Sequence, residues 1–305
     1  MNKLESLKSL YKPYRYTIKG KCTILETTSG NFVIKKKPSN KDLYSIFNYL
    51  KSRNFSYFPD IYNDTRDDTY IYEYIEDKNI INPQKSEDLI NLVGLLHAKT
   101  SFNKEVTEEK YKEIYENIKN NILYLRDYYL KYYNLFLTDI YMSPAKYEFV
   151  RNYSKITAAL SFSETELDNW YDLVKDKSSE RLSLIHNNLS LDHYIRSDKD
   201  YLISWDEAKF DTPILDLVKL YQNNFWELEF SSIYKKYLSV TNLSISEQKL
   251  FFILISLVPE IEFINNEFNC CKEMRKKLDY IYKTEEFLKP YYSTDATEEQ
   301  SNFDS

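Results

Sequence analysis

Glycine is nearly missing from this chain: Gly20, Gly30 and Gly94 are the only three in 305 residues. A dinucleotide-binding fingerprint or a Walker loop needs clustered glycines, because only a backbone without Cβ lets phosphates approach closely, so both are excluded. Cysteine is equally scarce. Cys22, Cys270 and Cys271 are odd in number and form no C-x-x-C pair, which argues against a disulfide framework and a zinc site and fits a reducing cytoplasm. Long apolar runs are lacking too. The longest, Leu250–Val258, falls far short of the roughly 20 residues that span a bilayer and reads as a buried helix ending near Pro259. Residues 1–20 have no apolar signal-peptide core. There is no excess of positive charge: a net charge of -6 and a pI near 5.4 argue against a nucleic-acid partner or an anionic membrane surface. These absences together predict a soluble, cytoplasmic protein.

What is present is ample for a core: 43% hydrophobic residues beside 29% charged ones. The length allows two domains or one two-lobed unit. Residues 14–36 predict three short strands, Tyr14–Lys19, Thr23–Thr27 and Asn31–Lys35, broken at Gly20 and Ser29-Gly30 as in an antiparallel meander. A helix over Lys41–Arg53 and a strand over Thr69–Ile75 follow, leading to a hinge near Glu76–Lys78. Beyond it the chain reads as helical. Leu89, Leu92, Val93, Leu95 and Leu96 recur at helical spacing and lead into His97, either a structural histidine or a ligand. Ile114, Ile118, Ile122, Leu123 and Leu125 form an apolar stripe within Lys104–Leu135. Helices are then expected over Tyr147–Leu160 and Glu164–Lys175, the second capped by Ser163 with Glu166 completing a capping box, over Leu215–Asn223, and from Phe225 to about Leu288. Residues 293–305 are small, polar and acidic and predict a disordered tail. The fold class is therefore α+β, with a β-rich lobe over 1–77 and a helical lobe over 78–292.

The chemistry concentrates in Leu184–Leu217, which holds two of the three histidines and a dense set of carboxylates and amides. Its apolar runs, Leu182–Ile185 and Tyr201–Trp205, enclose the polar Arg196–Asp200 and predict two short strands with the polar cluster at their ends. Functional groups often sit on loops held by such rigid elements. An ordinary surface hairpin fits the pattern as well.

The residues in this stretch run His186-Asn187-Asn188-Leu189 to His193, then Ile203-Ser204-Trp205-Asp206-Glu207-Ala208, then Asp211-Thr212-Pro213-Ile214-Leu215-Asp216-Leu217. That order resembles the core of the aminoglycoside phosphotransferases and choline kinases, and within them most the spore-coat kinase-like (CotS-type) proteins. The resemblance implies a two-lobed protein-kinase-like fold with a small antiparallel sheet lobe and a larger helical lobe. It also implies that Phe32-Val33-Ile34-Lys35 is the strand whose lysine holds the α- and β-phosphates, although Lys35 also reads as one charge in a lysine run at a strand end. His186, Leu189, Trp205, Ala208, Pro213 and Asp216 match framework positions. The chemical positions depart: Asn188 stands where the family has its catalytic Asp, His193 where it has a metal-binding Asn, and Ser204 where it has a metal-binding Asp.

An amide accepts no proton, and losing a general base costs about 10²–10⁴-fold in rate. Magnesium prefers hard oxygen ligands in octahedral geometry, so an imidazole and a hydroxyl are poor substitutes for Asn and Asp. The resemblance with these departures implies a pseudokinase, a kinase-fold protein acting as a binding or scaffold module for a protein or small molecule, with no firm cofactor. The alternative is an active ATP-dependent small-molecule phosphotransferase in which Asp192, Asp206 or Glu207 rebuilds a magnesium site, Lys35 holds phosphate, and His186 or Asp192 lies near the acceptor. Asp206 lies two residues beyond Ser204 and would share its face on an extended segment. The spore-coat association follows from the family likeness alone.

Overall fold

In the computed structural model, which describes residues 13–37, 42–62, 69–263 and 266–292, the β-former-rich N-terminal stretch makes one antiparallel sheet. Its strands are β1 (Arg15–Lys19), β2 (Cys22–Thr27), β3 (Gly30–Lys36), β4 (Ile61–Tyr62) and β5 (Thr69–Glu73), ordered β1-β2-β3-β5-β4. Gly20 turns the chain between β1 and β2 at φ +58°, where a side chain would be strained. Lys35 pairs with Cys22 on one side and Tyr70 on the other, while Val33 pairs with Tyr72. The period of two therefore places Val33, Lys35, Tyr70 and Tyr72 on one face, and Phe32, Ile34 and Ile71 on the other. Helix α1 (Leu43–Ser52) covers the lysine face: Tyr70 accepts the Leu43 N–H through its hydroxyl, and its ring meets Tyr44 edge-on.

The remainder is mainly helical: α2 (Asn82–Thr100), α3 (Glu108–Leu137), α4 (Pro144–Val174), α5 (Ile214–Asn224), α6 (Phe230–Val240), α7 (Ile245–Ser256) and α8 (Glu267–Tyr292). The architecture is α+β and two-lobed, a small antiparallel sheet beside a larger helical part. The buried core runs through the helical part, with a second cluster of Tyr129, Phe136, Phe149, Ile156 and Met274 where α3, α4 and α8 meet. No helix among the described residues is long and apolar enough to cross a membrane. The tail expected over 293–305 lies outside the described residues.

Three expectations change. The Leu182–Ile185 run does not pair with Tyr201–Trp205. It belongs to β7 (Ser179–Ile185), flanked by β6 (Phe102–Glu105) and β10 (Lys209–Asp211). All four of its residues are buried, so backbone partners are needed on both edges. The hairpin forms further on, between β8 (Tyr194–Arg196) and β9 (Asp200–Leu202), and Trp205 opens a short 3₁₀ turn instead of ending a strand. Second, the break between Tyr147–Leu160 and Glu164–Lys175 does not exist, because α4 runs straight through. Ser163 is buried and donates its hydroxyl to the Ala159 carbonyl one turn back, and Glu166 is taken by Lys249, Asn169 and Tyr292. Third, the stripe on α3 is narrower than expected: Ile122 and Leu125 are buried and Leu123 is exposed.

Candidate functional site

The site is built on the loop that leaves β7. Its anchor is Asp216, fully buried in the first turn of α5, where the helix dipole favours a carboxylate. Asp216 accepts the His186 N–H at 2.8 Å, the Asn187 N–H at 2.7 Å and His97 Nε2–H at 3.1 Å. Because a carboxylate only accepts, His97 Nε2 carries the proton, and Nδ1 accepts from the Tyr237 hydroxyl at 2.8 Å. Burial alone raises the carboxyl's pKa, yet the His97 bond, the two histidine rings and the loop N–H groups together bring it below its ordinary 3.8. Asn187 takes the left-handed conformation, φ 58°, and this turns the loop over the carboxylate. His97 is thus a structural histidine at this position.

His186 is fully buried and donates Nε2–H to the Ile203 carbonyl at 2.8 Å. Burial pushes its pKa below 6.5, with the Asp216 charge opposing. Its Nδ1 is buried with no hydrogen-bond partner among the described residues. Trp205 packs edge-on to His186 at 5.1 Å, and its ring also meets Phe47, Phe55 and Phe58, so one indole ties the loop to α1 and the segment after it.

Asn188 is half-buried, and its carbonyl accepts from His193 Nδ1 at 2.5 Å. The imidazole is folded back onto its own loop. Asp192 is exposed on the 3₁₀ turn Leu191–His193. Ser204 sits in the left-handed region, φ 66°, at the start of the turn that carries Asp206. Asp206 reaches across to the sheet and forms an ion pair with Lys35, whose side chain is 14% exposed against 21% for Asp206. Asp42 does not compete for Lys35: it caps α1, accepting from Tyr44 N–H and the Ser45 hydroxyl. The fold thus gathers His186, Asn188 and His193 on one loop, joins Lys35 to Asp206 across the two parts, and leaves Asp192 and Glu207 at the surface.

Tyr72 was missed from sequence. Burial, and after it the Asp206 charge, hold its hydroxyl well above the usual tyrosine range, so it stands protonated beside the ion pair. The period-two pattern of Thr69–Glu73 carried the signal, because it places Tyr72 on the lysine face. The hinge is also pinned. Lys78 N–H donates to the Arg196 carbonyl at 2.8 Å, and Asp77 accepts the Arg196 N–H at 3.3 Å and pairs with Lys85.

No protein-family model and no curated protein matches the sequence. Solved structures do. An aminoglycoside phosphotransferase from Alicyclobacillus acidocaldarius superposes with a TM-score of 0.67 at 9% identity, over 91% of this chain and 92% of that one. The AMP-bound complex of a spectinomycin phosphotransferase gives 0.56 at 15% identity, over 95% and 93%. Its complex with ADP and spectinomycin gives 0.52 at 14%, over 92% and 97%. This is the aminoglycoside phosphotransferase fold.

Within the phosphotransferase fold, His193 and Ser204, at the positions that resemble the family's metal ligands, are a poor fit for magnesium: Ser204 offers a neutral hydroxyl in place of a carboxylate, and His193 is an imidazole with one ring nitrogen bonded to the loop carbonyl. Among the described residues no three His, Cys, Asp or Glu side chains cluster closely enough to hold a metal. Asp206 is the carboxylate that stands at the lysine. A cavity of about 710 Å³ opens beside Asn187, with Asn121, Lys219, Gln222, Glu260 and Glu262 among its polar walls and leucines from α5 and α7 below. Its mix of charged and amide groups suits a polar small molecule.

Proposed function

We propose that this chain is a pseudokinase of the aminoglycoside phosphotransferase and spore-coat kinase-like type: a kinase-fold protein that binds a partner and transfers no phosphoryl group. One observation carries the reading: Lys35, at the position that resembles the phosphate-holding lysine, is already neutralised by Asp206. Nucleotide would have to displace that carboxylate, and without a metal its phosphates would repel it. Asn188, on the loop after β7, supplies no general base for the transfer step. The lobes of this reading are residues 1–77 and 78–292, its location the cytoplasm or, on the family likeness, the spore. The partner is a protein or a polar small molecule seated in the cavity by Asn187.

Calorimetric titration with ATP, with and without magnesium, tests this. Absent or magnesium-independent binding is the expected result; tight magnesium-dependent binding overturns it.

The same ion pair also supports a second reading. It sets a carboxylate beside Lys35, which is what an active small-molecule phosphotransferase with rearranged ligands would need. Steady ATP turnover, abolished by Asp206→Ala, would establish that reading in place of the first. Asp192 is less suited to the role, since it lies exposed on its turn.

A further inference from the structure

A second cavity, of about 320 Å³, lies between α4, the end of α7 and α8, away from the loop and the ion pair. Its depth is formed by Val258, Tyr280, Ile281, Thr284 and Leu288, all buried, its side wall by half-buried Ala159, and its mouth by exposed Ala158 and the ring of Tyr292. The space exists because α4 presents two adjacent alanines where its neighbours carry larger side chains.

Polarity decides what fits. Every hydroxyl on the walls is already committed within the protein. Ser256 donates to the Phe252 carbonyl, Tyr280 to the Ile255 carbonyl and Tyr292 to the Glu166 carboxylate. Thr284 donates to the Tyr280 carbonyl and shares a second hydrogen bond with the Tyr221 hydroxyl. A ligand that accepts hydrogen bonds would lose its hydration and find no free hydroxyl donor inside, which is costly. An apolar one loses nothing and gains close contact with aromatic and aliphatic walls. The rim carries one charge of each sign, Glu285 and Lys289, and so selects for neither sign in a ligand.

We infer that this cavity is a binding site for one uncharged apolar molecule about the size of a bicyclic ring. The site is independent of whether the cleft at Lys35 binds nucleotide. It shares a wall with the polar cavity, because Ser256 and Val258 face one while Leu254, Leu257 and Pro259 face the other.

The test is calorimetric titration of the full chain with indole, and with 1-octanol to separate ring from alkyl preference. Two variants narrow the space: Ala159→Leu at the wall and Ala158→Leu at the exposed mouth, the latter a mild change on a helix surface. Wild type should bind indole saturably with one site, and Ala159→Leu should weaken it at least tenfold while thermal unfolding stays that of wild type. Should Ala159→Leu fail to fold, Ala158→Leu gives the same comparison. Non-saturable uptake, preference for octanol over indole, or equal affinity in wild type and a folded filled variant overturns the inference. So does binding that emerges only after residues 293–305 are removed, since the chain's own C-terminal segment would then be the occupant.

Discussion

At the scale of single residues, the loop rests on Asp216. Three donors converge on one fully buried carboxylate. Asp216→Asn keeps the shape but removes the charge and points an amide N–H at groups that also donate. We expect a loss of roughly 3 kcal/mol, measured by urea unfolding; a loss below about 1 kcal/mol would mean the loop holds without it. The pH dependence has two windows. His186 has its pKa lowered in the fold, so below about 6.5 the unfolded chain takes up a proton that the folded chain refuses. Stability therefore falls as pH drops from 7 towards 5, and His186→Gln should flatten that slope. Asp216 is lowered from 3.8, so its contribution is present above that pH and is lost below it, as pH falls through the folded value. The Lys35–Asp206 pair is partly screened, and a double-mutant cycle with Lys35→Met and Asp206→Asn should return roughly 1 kcal/mol of coupling. Zero coupling would remove the ion pair from the argument about nucleotide.

At the scale of elements, two serines with the same sequence signature have opposite roles. Ser163 and Ser244 each precede a Glu by three residues. Ser244 caps α7 with a full capping box, its hydroxyl accepting Glu247 N–H while the Glu247 carboxylate accepts Ser244 N–H. Ser163 lies inside α4 and bonds back to Ala159. Ser244→Ala should cost about 1 kcal/mol, and Ser163→Ala should change stability by only a few tenths. Thermal unfolding of both distinguishes the roles. Helix packing gives a second check at Gly94. A Cβ there would stand 2.9 Å from Val240 Cβ and Cγ1, so α2 and α6 approach closely only because that atom is missing. Gly94→Ala gains about 1 kcal/mol of helix propensity but meets overpacking of about 1–3 kcal/mol. We expect a net loss in thermal stability, recovered only in part by Val240→Ala, which removes Cγ1 but leaves the Cβ at 2.9 Å.

At the scale of the whole molecule, the question is whether the phosphotransferase fold kept its geometry while its chemistry changed. The triple variant Asn188→Asp, His193→Asn, Ser204→Asp restores the residues that the family likeness places there. Asp tolerates the left-handed backbone at Ser204, so that change is accommodated. His193→Asn gives up the ring's bond to the Asn188 carbonyl. Added carboxylates repel one another without metal, so the variant should melt below wild type. Magnesium should then return roughly 2.7 kcal/mol at a hundredfold excess over its dissociation constant. An equal magnesium shift in wild type would show that the native residues already bind the ion, and would favour the active reading.

The sequence by itself determined the α+β class and the meander over 15–36. Those features are set by local periodicity, turn glycines and short-range spacing, which a linear reading captures. Lys35, His186, Asn188, His193, Ser204 and Asp206 could be named from the chain for the same reason. Only the tertiary structure decided which of them meet. The Lys35–Asp206 pair joins residues 171 positions apart, the partners of Asp216 come from the loop after β7 and from α2, and β7 found its partners at Phe102–Glu105 and Lys209–Asp211. Whether Ser163 caps a helix or lies within one was likewise settled by packing, because burial of Phe149, Ile156, Leu160 and Leu167 along one face carries α4 straight through a local stop signal.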